Sequence, residues 1–296
     1  MINAHPGLPE FDYIRLDTPS EASKFLAEHA GEAVPFLGGT DIFVRMRDGF
    51  WKGKYLVDVK GLNGVDQVTF TPTKGLRLGA AVNMNRVIGS SEIQKHYPLL
   101  AESARTVASY QLRTRATIVG NLCNASPAGD TTGACMLYDG VLEVHSPGGF
   151  RQEPLNAFFL GPGKTTLKPG DIVTAIQFPI PPPDHAGRYL KLNRNKLGDL
   201  SIVGVAVLGH PDQRLPSGYR FRIALASVAP VPLIATEAET ILSEKRINES
   251  SIEQAAEAAM EACTPIDDVR GSARYRKMMV RNLTRQALTE VWERIR

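Results

Sequence analysis

Two glycine-centred stretches carry the chemistry of this chain: Phe36-Leu37-Gly38-Gly39-Thr40-Asp41-Ile42 and Ala116-Thr117-Ile118-Val119-Gly120-Asn121. Each reads as an apolar strand that ends in glycine, beside a small hydroxyl or amide residue. Glycine permits φ > 0 and has no Cβ to hold a ligand away. Successive N–H groups in such a turn form a concave site for anions, and Thr40, Thr117 and Asn121 add side-chain donors. Either stretch alone also reads as a tight turn; the pair points to a diphosphate gripped from two sides. Beyond the second stretch, Asp130 reads as an acceptor for ribose hydroxyls or as an N-cap for a helix starting near Gly133, roles that are compatible. Lys191 reads as a lysine directed into a phosphate-lined cleft or as a solvated strand lysine. Arg113 and Arg115 read as phosphate or partner contacts, or as surface charge.

Other chemistries find no residues to carry them. There is no G-x-S-x-G, no Ser-His-Asp spacing and no histidine partner for Cys123, so nucleophilic catalysis is unsupported. No carboxylate pair stands out, and no residue is assigned a catalytic role. The histidines show no H-x-x-x-H or H-E-x-x-H spacing, and the cysteines Cys123, Cys135 and Cys263 form no C-x-x-C; no metal ligand is assigned. The chain reads as a holder for a cofactor that itself carries the chemistry.

The bulk properties agree. With 296 residues, the chain has room for two or three subdomains. Hydrophobic content of 43%, charged content of 22% and net charge of +3 are those of a globular protein. Basic residues are dispersed except near the C-terminus (Arg270, Arg274, Arg276, Lys277, Arg281, Arg285), which argues against nucleic-acid binding. No apolar run approaches the ~20 residues that span a bilayer, and Met1 to Glu10 lacks the basic and apolar regions of a signal peptide. An odd number of cysteines without a framework suits a reducing compartment, so a cytoplasmic location is expected.

The elements that must position these residues read as an α+β arrangement. Helices are expected over Pro19–Ala30, capped by Thr18 or Ser20, Asp41–Arg47, Asn83–Gly89, Ile93–Ser109, from Gly133, and over Thr236–Leu242, Ser251–Cys263 and Arg274–Arg296. Strands are expected at Val34–Leu37, Tyr55–Val59, Val141–His145, Ile172–Phe178, Tyr189–Asn195, Ser201–Gly209 and Arg220–Val228, with a hairpin over Val68–Leu78. The proline-rich stretch Pro179–Pro183 reads as a linker. The division is residues 1–60 and 61–180 as two cofactor-binding subdomains, and 184–296 as a C-terminal domain.

On these motifs the chain resembles the FAD-binding medium subunit of the molybdenum hydroxylases, the family of carbon monoxide dehydrogenase and xanthine dehydrogenase. The resemblance rests on Leu37-Gly38-Gly39-Thr40-Asp41, Thr117-Ile118-Val119-Gly120-Asn121 and Ser126-Pro127-Ala128-Gly129-Asp130. Flanking segments extend it: Phe11-Asp12-Tyr13 with Pro19, Leu56-Val57-Asp58-Val59, Leu78-Gly79-Ala80-Ala81, Leu167 to Val173, Lys191 through Gly198-Asp199, and Arg270-Gly271-Ser272 with Tyr275-Arg276. It implies a two-part FAD-binding domain of the vanillyl-alcohol-oxidase type followed by a smaller α/β C-terminal domain. It also implies an oxidoreductase that works with a large molybdopterin-binding subunit and a small subunit holding two [2Fe–2S] clusters, assembled as a dimer of heterotrimers. Electrons would pass from those clusters through FAD to an external acceptor. In that picture Phe36 to Ile42 and Thr117, Gly120 and Asn121 hold the diphosphate, Asp130 takes ribose or a nearby polar group, Val107 and Val173 flank the cofactor, and Lys191 reaches the flavin ring.

Three departures from the family pattern stand out. Val119 replaces the first glycine of the usual G-G-N, so this residue must be extended or the loop must differ. Leu200 stands where some relatives have an aromatic residue. The cysteine-rich insertion of the 4-hydroxybenzoyl-CoA reductase branch is missing, so no iron–sulfur cluster is expected in this chain. Two other readings remain at this level: a stand-alone flavoenzyme with its own substrate, and an assembly subunit that has lost its cofactor.

Overall fold

The computed structural model describes residues 7–195 and 198–296. The stretch Met1 to Glu10 is therefore described only from Gly7, and Lys196 and Leu197, between Lys191 and Gly198-Asp199, lie outside the described residues.

The N-terminal part alternates strand and helix: β1 (Asp12–Arg15), α1 (Pro19–Glu28), β2 (Ala33–Phe36), α2 (Ile42–Arg47) and β3 (Tyr55–Asp58). Its strands form a parallel three-stranded sheet in the order β1-β3-β2. The start of α1 is written locally. Thr18 accepts from the Glu21 N–H, Glu21 reaches back to the Thr18 N–H, both at 3.2 Å, and Pro19 occupies the first helical turn.

The middle part contains β4 (Val68–Thr71), β5 (Gly75–Gly79), α3 (Met84–Gly89), α4 (Ser91–His96), α5 (Pro98–Arg105), α6 (Tyr110–Arg113), α7 (Ile118–Asn124) and α8 (Thr132–Leu137), followed by β6 (Val141–Ser146), β7 (Gly149–Pro154), β8 (Phe159–Gly161), β9 (Lys164–Thr165) and β10 (Ile172–Phe178). A five-stranded sheet runs β4-β5-β10-β6-β7, antiparallel throughout. A register shift between Val173 and Ala175 marks a bulge in β10, which re-aims the residues beside it.

The C-terminal part is an antiparallel sheet, β11 (Ala186–Leu192), β12 (Val203–Pro211), β13 (Tyr219–Ala226) and β14 (Leu233–Ile234), followed by α9 (Thr236–Glu244), α10 (Glu249–Glu261) and α11 (Ala273–Ile295). Alternation along β12 assigns its two faces. Val203, Val205 and Val207 pack with the helices, whereas Ala206 and Leu208 join the core of the middle part. The sheet is thus covered on both sides.

Two expectations change. The single helix over Ile93–Ser109 is broken into α4 and α5, because Pro98 lacks an N–H and pushes Tyr97 out of the helical region, to φ −136°. The stretch Ile118–Asn121, expected as a strand running into a loop, is the first turn of α7, with Thr117 as its N-cap. Val119 is therefore helical and buried, without positive φ. Strands β1, β7, β8, β9 and β14 lie outside the expected set; they are short, and β7 is a largely exposed edge.

Breaking the helix puts Tyr97 to use. Its fully buried hydroxyl accepts from the Leu76 N–H at 3.1 Å and donates to the Pro179 carbonyl at 2.8 Å, tying a sheet strand to the proline-rich linker. Tyr97→Phe leaves that backbone donor short of a partner and should cost about 1–3 kcal/mol of unfolding free energy. Urea denaturation reads this as a lowered midpoint; an unchanged midpoint would show that the tie carries no stability.

Candidate functional site: a cleft between the two sheets

The parallel sheet and the five-stranded sheet share no ladder, and the seam between them opens into a cleft of about 600 Å³, within the ~300–1,000 Å³ of cofactor sites. Of the residues singled out from sequence, Leu37, Gly38, Gly39, Thr40, Asp41, Ile42, Val107, Thr117, Gly120, Asn121, Asp130 and Val173 line it. Phe36 and Lys191 are not part of its wall.

The first turn is built by close approach. A Cβ on Gly38 would overlap the carbonyl oxygen of Arg115, so only glycine lets this turn touch the backbone before α7. Gly39 has φ +75°, a region that resists side chains. Phe36 is buried beneath it: a Cβ on Gly39 would stand 2.6 Å from the Phe36 ring. The turn then enters α2 with Thr40 donating to Asp41 at 3.1 Å.

The second segment works differently from the expectation of an open ring of N–H groups. Thr117 Oγ1 accepts the Gly120 N–H at 2.9 Å, so that donor is consumed by the helix cap. The Thr117 hydroxyl proton and the Asn121 side chain remain. Asn121 Oδ1 accepts from Thr131 at 2.8 Å, which leaves its amide nitrogen as the donor for a ligand. Gly120 is not at positive φ; its role is space, since a Cβ there would meet Thr117 Oγ1 at 2.9 Å.

Asp130 and Lys191 form one buried unit. Asp130 accepts from the Tyr189 hydroxyl at 2.8 Å and from Lys191 Nζ at 2.8 Å, and Lys191 also donates to the Thr106 carbonyl at 3.1 Å. Their side chains are 7% and 6% exposed. Burial pushes the Asp130 carboxyl up, against the opposing pull of the Lys191 ammonium and the Tyr189 hydroxyl; the Tyr189 phenol is driven well up by burial and by the Asp130 charge. Asp130 is not the N-cap of α8; that position is Thr131. The Lys191 ammonium, expected at the flavin, instead sits behind the wall as the partner of Asp130. Arg113 is structural too, donating to the carbonyls of Val107 and Ala108 at 2.8 and 3.0 Å.

Several wall residues carried little sequence signal. Leu167 to Ile172 forms one side, turned by Gly170 at φ +91°; that segment was read only as part of the family likeness. Arg45 and Asn124 also line the cleft; a helical arginine and an asparagine outside the glycine motif look like surface residues. Cys123 faces it with a thiol that burial pushes up to about 12, so it stays protonated. Leu200, the position of the aromatic departure, borders the cleft half exposed. Among the described residues there is no cluster of metal-ligating side chains and no helix long and apolar enough to cross a membrane.

The donor set, the glycine turn and a long cleft between two sheets define a dinucleotide-cofactor domain, joined to a smaller sheet-and-helix domain. Residues 9–181 match the family described as "FAD binding domain in molybdopterin dehydrogenase", and residues 188–291 match "CO dehydrogenase flavoprotein C-terminal domain". The chain belongs to this oxidoreductase family. It is 30% identical to the xanthine dehydrogenase FAD-binding subunit of Escherichia coli O157:H7 over 281 residues, covering 94% of each. It is also 30% identical to the carbon monoxide dehydrogenase medium chain of Hydrogenophaga pseudoflava over 289 residues, covering 97% of this chain and 98% of that one. In structure it matches a chain of the carbon monoxide dehydrogenase from Hydrogenophaga pseudoflava that lacks the Mo-pyranopterin moiety (TM-score 0.92, 29% identity, 97% and 99% coverage). It also matches a chain of reconstituted CO dehydrogenase from Oligotropha carboxidovorans (TM-score 0.91, 28% identity, 97% and 99% coverage).

The Asp130–Lys191 pair makes a specific demand. Lys191→Met strands a buried carboxylate and should destabilise the chain by about 3–5 kcal/mol, whereas Asp130→Asn combined with Lys191→Met should recover most of the loss. Urea unfolding of the single and double variants tests this; a single variant as stable as the parent would show the pair to be dispensable.

Proposed function

We propose that this chain is the FAD-carrying electron-transfer subunit of a multi-subunit molybdenum hydroxylase. It takes electrons from [2Fe–2S] clusters in a small partner subunit, downstream of a large molybdopterin-binding subunit, and passes them to an external acceptor. The observation that carries the reading is the cleft itself, where Gly39–Asp41 and Thr117–Asn121 converge and each carboxylate of the wall accepts hydrogen bonds from within the protein. The proposed assembly is a dimer of heterotrimers. Residues 1–60, 61–180 and 184–296 are the proposed units, in line with their separate sheets. The unpaired thiols of Cys123, Cys135 and Cys263 favour a reducing, cytoplasmic setting.

The chain's residues suit this cofactor. The backbone of Gly39 to Asp41 and the hydroxyl of Thr117 are disposed to donate to a diphosphate, and the amide of Asn121 adds a donor. Leu37, Val107 and Val173 offer apolar wall for ring faces. Asp130 has both oxygens engaged, one by the Tyr189 hydroxyl and one by the Lys191 ammonium. The Cys123 thiol keeps its proton. The chemistry supplied by bound FAD is the exchange of electrons singly or in pairs; the protein's part is to hold, orient and exclude water.

Two outcomes are expected. Acid precipitation of the purified complex should release one non-covalent FAD per chain, and Gly39→Val should abolish flavin retention, because valine resists φ +75° and collides with Phe36. Flavin that stays in the pellet, FMN in its place, or full occupancy in Gly39→Val would overturn the cofactor assignment. For electron flow, stopped-flow spectra of the deflavinated complex mixed with substrate should show rapid cluster bleaching without reduction of the external acceptor. Clusters that stay oxidised until FAD is restored would mean that substrate meets the flavin first, as in a stand-alone flavoenzyme.

A further inference from the structure

Acids on the cleft wall are answered from within the protein. Asp130 pairs with Lys191 at 2.8 Å, Asp171 with Arg151 at 2.8 Å and Asp199 with Arg194 at 3.5 Å. Asp41 accepts the Thr40 hydroxyl and the Asn124 amide, each at 3.1 Å. Among the described residues neither Arg45 nor Lys168 of the wall forms an ion pair, and of these two cations Arg45 is the one that a side-chain hydrogen bond orients. It stands one helical turn beyond Asp41, its N–H bonded to the Asp41 carbonyl at 3.0 Å, and its side chain lines the cleft. Among the described residues no carboxylate forms an ion pair with it.

Arg45 is nevertheless held in place. Its Nη2 donates to Asn124 Oδ1 at 2.8 Å, and the other end of that amide donates to Asp41 Oδ1. An amide oxygen fixes the direction of a guanidinium without cancelling its charge. Gly163, in the turn between β8 and β9, leaves room beside it: a Cβ there would stand 4.0 Å from Nη2. The result is an oriented cation beside the Gly39 turn, linked to the Asp41 carboxylate only through the Asn124 amide and in no direct ion pair among the described residues. A guanidinium with free N–H groups matches phosphate oxygens in geometry as well as charge.

We propose that Arg45, oriented by Asn124, is the countercharge that anchors the diphosphate of the bound dinucleotide, an inference that rests on the FAD reading above. The backbone and hydroxyl donors of the two motifs give hydrogen bonds to that group; Arg45 gives it a full positive charge. The diphosphate is the charged part of a flavin dinucleotide, so a guanidinium oriented on the wall and free of a direct ion pair has one part of the ligand to answer.

The test uses the full chain stripped of flavin, with FAD titrated by fluorescence over a series of potassium chloride concentrations. Attraction between a cation and a diphosphate is screened by salt, so the parent's Kd should rise with salt. Arg45→Gln should weaken FAD binding roughly tenfold to a hundredfold and flatten that salt dependence. Arg45→Lys should keep the salt dependence while binding less tightly than the parent. If Arg45→Gln binds FAD as tightly as the parent, or binds more weakly with the parent's salt dependence unchanged, Arg45 is not the countercharge. A parent chain that binds no FAD would overturn the cofactor reading itself, and this inference with it.

Discussion

The architecture turns on one close contact, Gly38 against the backbone of Arg115 and Ala116. The two sheets on either side share no hydrogen-bonded ladder, so their spacing is set by what touches at the seam. Leu37 packs into the clusters of both parts, and Gly38 brings the chain down to backbone contact. The other side of the contact is rigid. Met84 N–H bonds to the Ala116 carbonyl at 2.9 Å, and Asn83 and Thr117 form an isolated bridge. With the seam fixed there, the positive φ of Gly39 turns the chain into α2 along the cleft edge, which brings Arg45 within reach of Asn124. A larger residue at position 38 would wedge the seam apart and disturb every donor along it.

The C-terminal domain is bound to this seam rather than appended to it. Its central strand β12 is buried on both faces, and Gly133 of α8 leaves only 3.1 and 3.3 Å for a Cβ against Ala206 and Ala224. Next to this apolar interface sits the Asp130–Lys191–Tyr189 unit, with Asp130 on the cleft wall and the other two on β11. Gly204 leaves space for the Tyr189 hydroxyl, which a Cβ would crowd at 2.6 Å. A buried ion pair contributes little net stability when intact, but it tolerates few alternative geometries because losing either partner is costly. The floor of the cleft is thereby held in register with a domain that contributes little of its wall.

Sequence patterns revealed most where local physics decides. The Thr18 cap of α1, the hairpin around Lys74 and Gly75, the strand Ile172–Phe178, the proline linker and the C-terminal meander with its helices could all be read from periodicity, caps and turn residues. The first glycine turn was also legible, because positive φ and close approach have a residue signature. The second motif reads as strand and loop because Ile118 and Val119 are β-branched, and a threonine cap followed by a buried helix turn looks the same in one dimension. The apolar spacing on both sides of Pro98 masks a break whose effect on Tyr97 is local. The direction of Lys191 could not be read at all. Alternation says that it faces opposite to Leu190, but only the packing of β11 against α5 and the Asp130 segment decides whether its ammonium meets a cleft or a carboxylate. Arg45 and Asn124 are distant in sequence and ordinary in type, so their pairing exists only in three dimensions.

The same pairing of charges shapes what the cleft presents to a ligand. A general base must be able to gain a proton where substrate sits, but Asp130 already accepts from two donors, Asp171 accepts from the Arg151 guanidinium and the Lys168 backbone N–H, and the Cys123 thiol keeps its proton. What the wall presents instead is a fixed set of donors, one oriented guanidinium and apolar faces at Val107 and Val173. Such a surface suits binding and orienting a dinucleotide. The pairing of its acids holds the wall in one geometry, so position and charge around the ligand are set before it arrives.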